Sequence, residues 1–531
     1  MSLPRVLPVG DAALSVELAD APSPATNARV RALAGDLALR PFDGIREAVP
    51  THRSLLVLYE PSAIGFEPLA RELLARAVGL AVPDTRGRTH EIPTVYGGAH
   101  GVDLEAFAAA RGMTPTQVAR LHAGREYCVL MLGFLPGFGY LGPLPEALEA
   151  QRHATPRARV PAGSVALAGR QTGIYPVSSP GGWQLIGRTS LRLFDPLRER
   201  PTLFAPGDRV RFVPVPELPP APPAATPAAA AGVASLEVLE PGLLTSVQDA
   251  GRGGWRHAGV GCAGPLDPLA HGAANRAVGN EPGAAALECT LAGPTLRFLA
   301  PTRFALAGAD LGALLERADL GAWPVPLGAA VLARAGNVLR FGGRRHGCRA
   351  TIAFCGGIDV PLVLGSRATD LPSGFGGLSG RALRAGDRLA VAAARRACEE
   401  QESRPAPCAQ RVTARVVLGP QADHVAQESL AAFLSSPWRV GLTSDRGGCR
   451  LEGPRLRHAG PAEILSDGMV PGSIQLPPDG RPIVMLADGP TTGGYPKLAC
   501  VVRADLRLLA QLVPGHGELR FEAVRLRDVQ A

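Results

Sequence analysis

Lysine is almost absent from this sequence. Lysine and arginine together number 55, and Lys497 is the single lysine among them. A phosphate-binding loop of the form G-x-x-x-x-G-K-S/T needs a lysine directly after glycine, whereas Lys497 follows Pro496. The sequence also lacks the H-E-x-x-H motif of zinc proteases and the G-x-S-x-G motif of serine hydrolases. A P-loop nucleotide site and both of these hydrolase signatures are therefore excluded.

Paired cysteines, a leader segment and long apolar runs are also missing. The nine cysteines include no C-x-x-C pair and are odd in number, which argues against a disulfide framework or a structural zinc site. Asp11 and Glu17 interrupt the start of the chain, where a signal peptide needs a continuous apolar core. No apolar run reaches the length of a transmembrane helix. These absences predict a cytoplasmic protein.

Glycine and proline, in contrast, are abundant. The 531 residues include 64 glycines and 51 prolines, a composition that favours many short strands and tight turns over long helices. A chain of this length is expected to form about three or four domains. The net charge of +8 comes from arginines spread over the whole sequence, without a basic cluster that alternates with aromatic residues. Small anionic molecules are therefore better predicted partners than nucleic acid.

Residues 157–189 contain the densest group of candidate site residues. Glycines and prolines divide this segment into short β-prone pieces, and glycine lets a ligand or a second chain approach the backbone closely. The polar and aromatic residues between these breaks suit a polar ligand better than a hydrophobic core. The alternative is a tightly turned β-barrel in which they only occupy turns. The predicted ligand-binding residues of this segment are Arg159, Gln171, Ser179, Trp183 and Arg188.

The same pattern recurs near the end of the chain. Val160-Pro161-Ala162-Gly163-Ser164 resembles Val470-Pro471-Gly472-Ser473, and Ser179-Pro180-Gly181-Gly182-Trp183 resembles Thr491-Thr492-Gly493-Gly494-Tyr495. The flanking segments match as well, so that the spacing is kept over about 70 residues. This recurrence predicts one domain type used twice. A weaker third copy ends at residues 383–389.

Composition divides the chain into five segments. Residues 1–85 alternate strands and helices and are predicted to form a small ferredoxin-like α/β unit. Residues 86–213 and 408–531 hold the two copies of the repeat, and residues 235–400 are predicted to form another β-barrel. Residues 214–234 are rich in proline and alanine without apolar periodicity, which predicts an extended linker between the two halves.

The single lysine is a candidate catalytic residue. At exposed positions lysine and arginine exchange at little cost, whereas chemistry that needs a compact ammonium group does not tolerate arginine. Lys497 has survived among 54 arginines and follows the repeated Gly493-Gly494 pair. Chance retention is the alternative. We predict a functional role for Lys497.

Each half of the sequence resembles a known family. Residues 133–141 (GFLPGFGYL) and 157–189 are similar to the family of KipI-type proteins, also called allophanate hydrolase subunit one or the B component of 5-oxoprolinase. The second half resembles the companion family of KipA-type proteins, also called allophanate hydrolase subunit two or the C component of 5-oxoprolinase, at residues 241–252, 364–370, 444–448 and 470–497. The resemblance covers nearly the whole chain. It implies a β-rich α+β multidomain fold in which a small N-terminal α/β unit precedes repeated cyclophilin-like β-barrel domains.

The resemblance implies a fused B and C component of an ATP-dependent 5-oxoprolinase, which opens the lactam of 5-oxo-L-proline to L-glutamate. ATP, expected with Mg²⁺, would activate the amide oxygen as a phosphate ester before water attacks, so hydrogen-bond donors are needed around the growing negative charge. The predicted catalytic residues are Lys497, Arg446, Arg367 and Gln475. Tyr495, Asp249 and Asp267 complete the predicted binding residues. Each arginine has the alternative of a buried structural ion pair.

The resemblance leaves two other functions open. One is a biotin-dependent carboxyltransferase like the corresponding region of urea carboxylase, in which the two modules occur in the opposite order. Lys497 follows proline rather than methionine, so a biotin carrier would lie on another chain. The other is a KipI/KipA-type regulator of a histidine kinase, which the fusion of inhibitor and anti-inhibitor disfavours. The first interpretation implies a partner, the LamB/YcsF-type A component of 5-oxoprolinase, and leaves a homo-oligomer open.

Overall fold

The computed structural model of the protein describes residues 4–82, 87–221, 232–393 and 408–530. Residues 222–231, within the predicted linker 214–234, lie outside these ranges. Within them, no helix combines the length and the apolar character needed to span a bilayer. Seven of the described cysteines carry free thiols, and Cys355 is disulfide-bonded.

The N-terminal unit is a four-stranded antiparallel sheet with two helices. Its elements are β1 (Arg5–Pro8), β2 (Ala13–Glu17), α1 (Pro24–Leu39), β3 (Ile45–Pro50), β4 (Ser54–Tyr59) and α2 (Phe66–Val78). The strands lie in the order β1-β2-β4-β3, so helix α1 joins β2 to β3 with β4 between them. This split β-α-β arrangement is that of a ferredoxin-like sheet. The order along the chain differs from the β-α-β-β-α-β order of that fold, because one edge strand comes first rather than last.

Helix α1 begins where the sequence supplies its cap. The Ser23 hydroxyl accepts a hydrogen bond from the backbone N–H of Thr26 at 3.0 Å, and Pro24 occupies the first turn, where no donor is needed. Val30 and Leu37 are buried on the helix face that packs on the sheet. Signals in the local sequence therefore determine where helix α1 begins. The N-terminal unit to which it belongs contributes residues to the candidate site.

The first barrel follows. Its region contains β5 (Thr89–Tyr96), α3 (Leu104–Ala109), α4 (Pro115–Ala123), β6 (Glu126–Leu132), β7 (Gly139–Gly142), β8 (Arg157–Val160), β9 (Ser164–Ala168), β10 (Gln171–Ile174), β11 (Ser179–Gly181), β12 (Gln184–Arg188) and β13 (Arg209–Pro214). Seven strands close in the order β10-β7-β6-β13-β5-β12-β9, while β8 and β11 pair as a separate ribbon. Their inward-facing apolar side chains form one core cluster.

The middle of the chain forms a two-sheet unit rather than the barrel predicted for residues 235–400. Its elements are β14 (Ala234–Glu240), β15 (Leu244–Gln248), α5 (Pro268–Ala277), β16 (Ala286–Thr290), β17 (Thr295–Phe298), β18 (Thr302–Asp310), β19 (Ala313–Arg317), β20 (Gly321–Pro324), β21 (Val331–Ala333), β22 (Val338–Phe341), β23 (His346–Phe354), β24 (Ile358–Asp359) and β25 (Arg388–Val391). Sheets of seven and five strands enclose one hydrophobic core. Neither sheet closes on itself within the described residues.

The second barrel completes the chain. Its elements are β26 (Arg411–Leu418), α6 (Gln427–Ser435), β27 (Trp438–Val440), β28 (Gly448–Glu452), β29 (Asp467–Gly468), β30 (Ser473–Gln475), β31 (Ile483–Met485), β32 (Thr492–Gly493), β33 (Lys497–Val501), α7 (Leu506–Ala510) and β34 (Glu518–Ala523). Seven strands close in the order β26-β33-β30-β31-β28-β27-β34, and β29 pairs with β32 in a separate ribbon.

The two barrels have the same architecture. In each, the first and last strands run parallel, β5 with β13 and β26 with β34, and the cyclic strand order is equivalent. Gly163 and Gly472 occupy matching turns with φ of +80° and +96°, a region that favours glycine. The predicted repetition of one β-barrel domain is therefore confirmed, whereas the weaker third copy at residues 383–389 reproduces only a turn before a strand.

The N-terminal unit packs on the second barrel, at the opposite end of the sequence. Ser54 donates a hydrogen bond to Asp467 across 413 positions of sequence, at 2.7 Å. A Cβ on Gly468 would lie 2.8 Å from the Leu56 side chain, so the two surfaces touch backbone to side chain. This long-range contact brings parts of both halves of the chain to one place.

Candidate functional site

A cavity of about 1830 Å³ lies where the N-terminal unit and both barrels meet. The N-terminal unit contributes His52 to its wall. The first barrel contributes Gln171 and Trp183, and the second barrel contributes Gln475 and Tyr495. Four residues predicted from the sequence, two from each half of the chain, therefore line a single cavity.

The first barrel gives the cavity an aromatic wall. The Phe138 ring meets those of Tyr140, Tyr175 and Trp183 edge to face, with centroid separations of 5.0, 5.4 and 5.3 Å. These interlocking rings form a rigid surface, because each ring fixes the rotamer of its neighbours. Phe138 and Tyr140 of this wall belong to the GFLPGFGYL segment, and Tyr175 and Trp183 belong to residues 157–189. The wall suits a small planar ligand.

A buried ion pair lies behind the wall contributed by the second barrel. Lys497 begins β33 and is 1% exposed, and its Nζ donates a hydrogen bond to Asp467 Oδ2 at 2.7 Å. The other carboxylate oxygen of Asp467 accepts from Ser54 Oγ at 2.7 Å. Burial alone raises the pKa of Asp467, but Lys497 and the two hydrogen bonds outweigh it and hold the pKa below its usual value. The pair is therefore ionised.

His52 lines the cavity and is close enough to this ion pair to feel the charge of Asp467. It lies on the turn between β3 and β4 and is buried, and its Nε2 accepts a hydrogen bond from the amide nitrogen of Gln171 at 2.9 Å. Its ring packs edge-on against Tyr140, with the centroids 5.6 Å apart. Burial lowers the pKa of His52 to about 4, although Asp467 opposes the shift. At neutral pH His52 is an uncharged hydrogen-bonding group.

The second barrel contributes the polar edge of the cavity. Gln475 Nε2 donates to the backbone carbonyl of Tyr495 at 3.3 Å, and Thr492 Oγ1 lies 3.4 Å from Tyr140 Oη. A Cβ on Gly493 would clash with Gln475 Nε2. Glycine at position 493 therefore leaves room for the Gln475 amide to approach the backbone closely.

We expect protonation of His52 to destabilise the fold below neutral pH. Its pKa falls from 6.5 to about 4 on folding, so the unfolded chain binds the proton first and stability decreases as the pH drops from 6.5 to 4. The slope is about 1.4 kcal/mol per pH unit, or roughly 3 kcal/mol over the interval. Chemical denaturation at several pH values should show a shallower slope for His52→Gln than for the native chain, and the difference is the contribution of His52.

A matched control is available for this experiment. His346 is exposed, so His346→Gln should retain the full slope of the native chain. The buried His122, with its pKa lowered to about 3 by burial, titrates in all three proteins and cancels in the comparison. Equal slopes for His52→Gln and the native chain would contradict an uncharged, buried His52.

Arg446, predicted as catalytic, forms buried ion pairs at the junction of the second barrel with the two-sheet unit. It does not line the cavity. Its guanidinium pairs with Glu288 and, at 2.9 Å, with Asp488, and it donates to the Gly264 carbonyl at 2.7 Å. Burial alone lowers the pKa of Arg446, but the two carboxylates outweigh this effect and raise it. These contacts match the alternative given above for each predicted arginine, a buried structural ion pair.

Arg367, Asp249 and Asp267 also lie outside the cavity wall. Asp249 accepts hydrogen bonds from Ser366 Oγ at 2.6 Å and from the backbone N–H of Arg367 at 2.5 Å, which fixes a turn of the two-sheet unit. Asp267 caps helix α5 by accepting from the Ala270 N–H at 3.0 Å. These hydrogen bonds give both carboxylates structural contacts away from the cavity, and their binding roles stay predictions.

The remaining predicted residues occupy other parts of the first barrel. Ser179 is buried in β11 and donates to the Pro180 carbonyl at 3.2 Å, so it does not face the cavity. Arg159 and Arg188 line a separate, smaller pocket. The segment 157–189 therefore serves two sites, because its strands contribute to both sides of the barrel.

Three residues of the site were not predicted from the sequence: His52, Ser54 and Asp467. Two of them belong to Thr51-His52-Arg53-Ser54, a polar run between two apolar strands that is typical of an ordinary turn. Asp467 occupies the position that Arg157 takes in the first copy of the repeat. This reversal of charge between two otherwise similar segments was the available signal.

Two family models match the chain, one for each half. The model described as carboxyltransferase domain, subdomain A and B, matches residues 258–523. The model for subdomain C and D of the same domain matches residues 4–204. The chain belongs to the carboxyltransferase-domain family. The C and D part, with the N-terminal unit and the first barrel, precedes the A and B part.

Relatives of this family member include separate components of one enzyme. The C component of 5-oxoprolinase from Escherichia coli strain K12 is 41% identical over 283 residues, which are 53% of this chain and 89% of that protein. The B component of 5-oxoprolinase from Escherichia coli O157:H7 is 44% identical over 218 residues, which are 41% of this chain and 99% of that protein. This carboxyltransferase-family chain is thus a fusion of B-like and C-like parts.

Solved structures show the same fold. The crystal structure of TTHA0988 aligns with a TM-score of 0.85 at 38% identity and covers 96% of this chain and 99% of that one. The urea carboxylase of Kluyveromyces lactis aligns with a TM-score of 0.51 at 31% identity over 55% of this chain and 28% of that protein. The first alignment spans both halves, so their arrangement around the cavity is shared with a solved relative.

Proposed function

We propose that this chain is the fused B and C component of an ATP-dependent 5-oxoprolinase, which converts 5-oxo-L-proline to L-glutamate together with an A component of the LamB/YcsF type. The observation that carries the proposal is the single cavity built from both halves. Relatives of the chain are separate B and C components. One active site formed between two such modules explains why they are fused here.

The cavity has groups suited to a planar, anionic lactam. The ring of Trp183 offers a flat apolar surface, and the amides of Gln171 and Gln475 stand nearby on the wall. Arg170 also lines the cavity and is available to the substrate carboxylate or to phosphate oxygens, whereas Arg152 lines it in a 3.9 Å ion pair with Glu463. Uncharged His52 supplies a hydrogen bond without adding charge to the site.

The expected Mg²⁺ is not held by a dedicated protein site. In the four described ranges, no group of three or more His, Cys, Asp or Glu side chains is arranged to hold a metal ion. The protein residues thus do not fit a resident metal, and we derive no step through one. A metal that arrives with ATP would be bound mainly by the nucleotide phosphates.

The proposal is tested by measuring ADP and glutamate release from the purified chain, with and without a co-expressed A component. Both products should form only when the partner, ATP and 5-oxoproline are present together. Trp183→Ala should raise the KM for 5-oxoproline in the assembled enzyme by about tenfold, since stacking of an aromatic side chain is worth about 1–1.5 kcal/mol. Release of neither product from a well-folded complex would refute the function.

Biotin-dependent carboxyl transfer is the second candidate. It is favoured by the description of the matching family models and by the alignment with urea carboxylase. Under this function the chain would take a carboxyl group from biotin on another chain. Incubation with carboxybiotin and candidate amides, followed by detection of a carboxylated product, separates it from the first proposal.

A further inference from the structure

A second, smaller pocket opens on the first barrel. Its volume is about 210 Å³, and it is formed between the ribbon strand β8, strand β12 and the loop after β5. Arg157, Arg159 and Arg188 line it together with His100 and Ser164. None of these five residues lines the large cavity, so the two sites are separate.

The pocket carries excess positive charge. Arg157 is neutralised by Asp103, whose carboxylate accepts a hydrogen bond from Arg157 Nη2 at 2.6 Å. Asp103 itself does not line the pocket. Arg159 donates its Nε to Ser178 Oγ at 3.1 Å, and Arg188 donates its Nε to the Ala162 carbonyl at 2.9 Å, both neutral acceptors. No carboxylate belongs to the described lining of the pocket. Two uncompensated guanidinium groups therefore face one small space.

Two buried nitrogen atoms at this pocket also have no hydrogen-bond partner among the residues that the structure describes. They are Nη1 of Arg157 and Nδ1 of His100. Buried polar atoms are normally satisfied, because leaving one unpaired costs about 1–3 kcal/mol. Arg157 Nη1 is a donor that the protein leaves unused, and an oxygen atom of a bound anion would supply its acceptor.

The second barrel shows that the fold itself does not require these charges. There the positions equivalent to Arg159 and Arg188 are Met469 and Cys500, and Cys500 is covered by the apolar side of the N-terminal sheet. In the first barrel the same surface is open and cationic. Since both barrels share one architecture, the arginines reflect a task specific to the first barrel.

We propose that this pocket binds a small oxyanion, a carboxylate or an inorganic phosphate, through Arg159 and Arg188. Guanidinium groups recognise both anions by charge-assisted hydrogen bonds. The volume is below the ~300–1,000 Å³ typical of sites for drug-sized ligands, so a whole nucleotide is not the expected occupant. This inference is independent of the reaction proposed for the large cavity.

The test is calorimetric titration of the full chain at low ionic strength with inorganic phosphate in one arm and L-glutamate in the other. We expect saturable binding of at least one anion, weakened roughly tenfold for each charge-assisted hydrogen bond removed. The variant Arg159→Gln/Arg188→Gln should thus lose about a hundredfold in affinity. Arg211→Gln, at an exposed arginine on β13 of the same barrel, is the matched control and should bind normally.

A second measurement on the native chain does not depend on the folding of a variant. Arginine-specific modification by phenylglyoxal, mapped by mass spectrometry, should be slowed at Arg159 and Arg188 by the bound anion and unchanged at Arg211. Preference for phosphate or for glutamate identifies the source of the oxyanion. Absence of protection by both anions would overturn the proposal and point to an acidic protein segment as the occupant.

Discussion

Replacing Arg446 with methionine is expected to lower the free energy of unfolding by about 3–5 kcal/mol, because it leaves two carboxylates buried without a counter-ion. Arg446, Glu288 and Asp488 are each no more than 3% exposed, so water cannot compensate for the lost charge. Burial already raises the pKa of Asp488 while Arg446 opposes the shift. Chemical denaturation of Arg446→Met followed by circular dichroism measures the loss.

An exposed ion pair in the same barrel provides the control for Arg446. Arg439 pairs with Glu452 at 2.6 Å, but its side chain is 62% exposed. Arg439→Met should therefore cost no more than about 1 kcal/mol. Adding Asp488→Asn to Arg446→Met should recover part of the stability, since one orphaned carboxylate becomes neutral. Equal losses for the two single variants would contradict a structural role for Arg446.

The barrels were predictable from the sequence because residue types at their turns, above all glycine, indicate where the chain turns. Gly163 and Gly472 mark a turn whose positive φ favours glycine, and the same spacing of turns and strands recurs in both copies. The prediction failed for the two-sheet unit, where residues 383–389 repeat only the turn before β25. Closing a barrel depends on pairing between distant strands, and a local turn does not determine that pairing.

The site was only partly predictable for a similar reason. The rarity of lysine drew attention to Lys497, and the family resemblance pointed to Gln475 and Tyr495. The partners that give Lys497 its environment lie far away in sequence, since Ser54 is separated from Asp467 by 413 positions. Contacts between domains leave no periodicity or spacing in a single sequence.

Charged residues outside the cavity illustrate the same limit. Asp267 precedes Pro268 at the start of α5, which is the usual signature of a helix cap, so its structural role was readable locally. Arg446 carries no such signature, because its partner Glu288 lies 158 positions away. Residue type and the neighbouring sequence therefore identify caps and turns, whereas buried ion pairs can be identified only from the folded structure.

Lys497→Arg is expected to reduce kcat of the assembled enzyme by about a hundredfold, the effect typical of a displacement of about 1 Å near reacting groups. Lys497 is 1% exposed, and a planar guanidinium is wider than the ammonium that now contacts Asp467. The displaced carboxylate would disturb His52, which lines the cavity. Under the proposed function we therefore expect Lys497 to act as a positioning residue, and KM should change less than kcat.

Lys497→Met separates position from charge. It leaves Asp467 buried and unpaired, which should cost about 3–5 kcal/mol of stability. The unpaired carboxylate should also raise the pKa of His52 above about 4, a shift that NMR titration detects without any activity assay. The control is Arg503→Lys, in the exposed ion pair with Glu60 between the same two units. This variant should leave the kcat, the free energy of unfolding and the pKa of His52 unchanged. Full activity of Lys497→Arg would show instead that the single lysine serves stability alone.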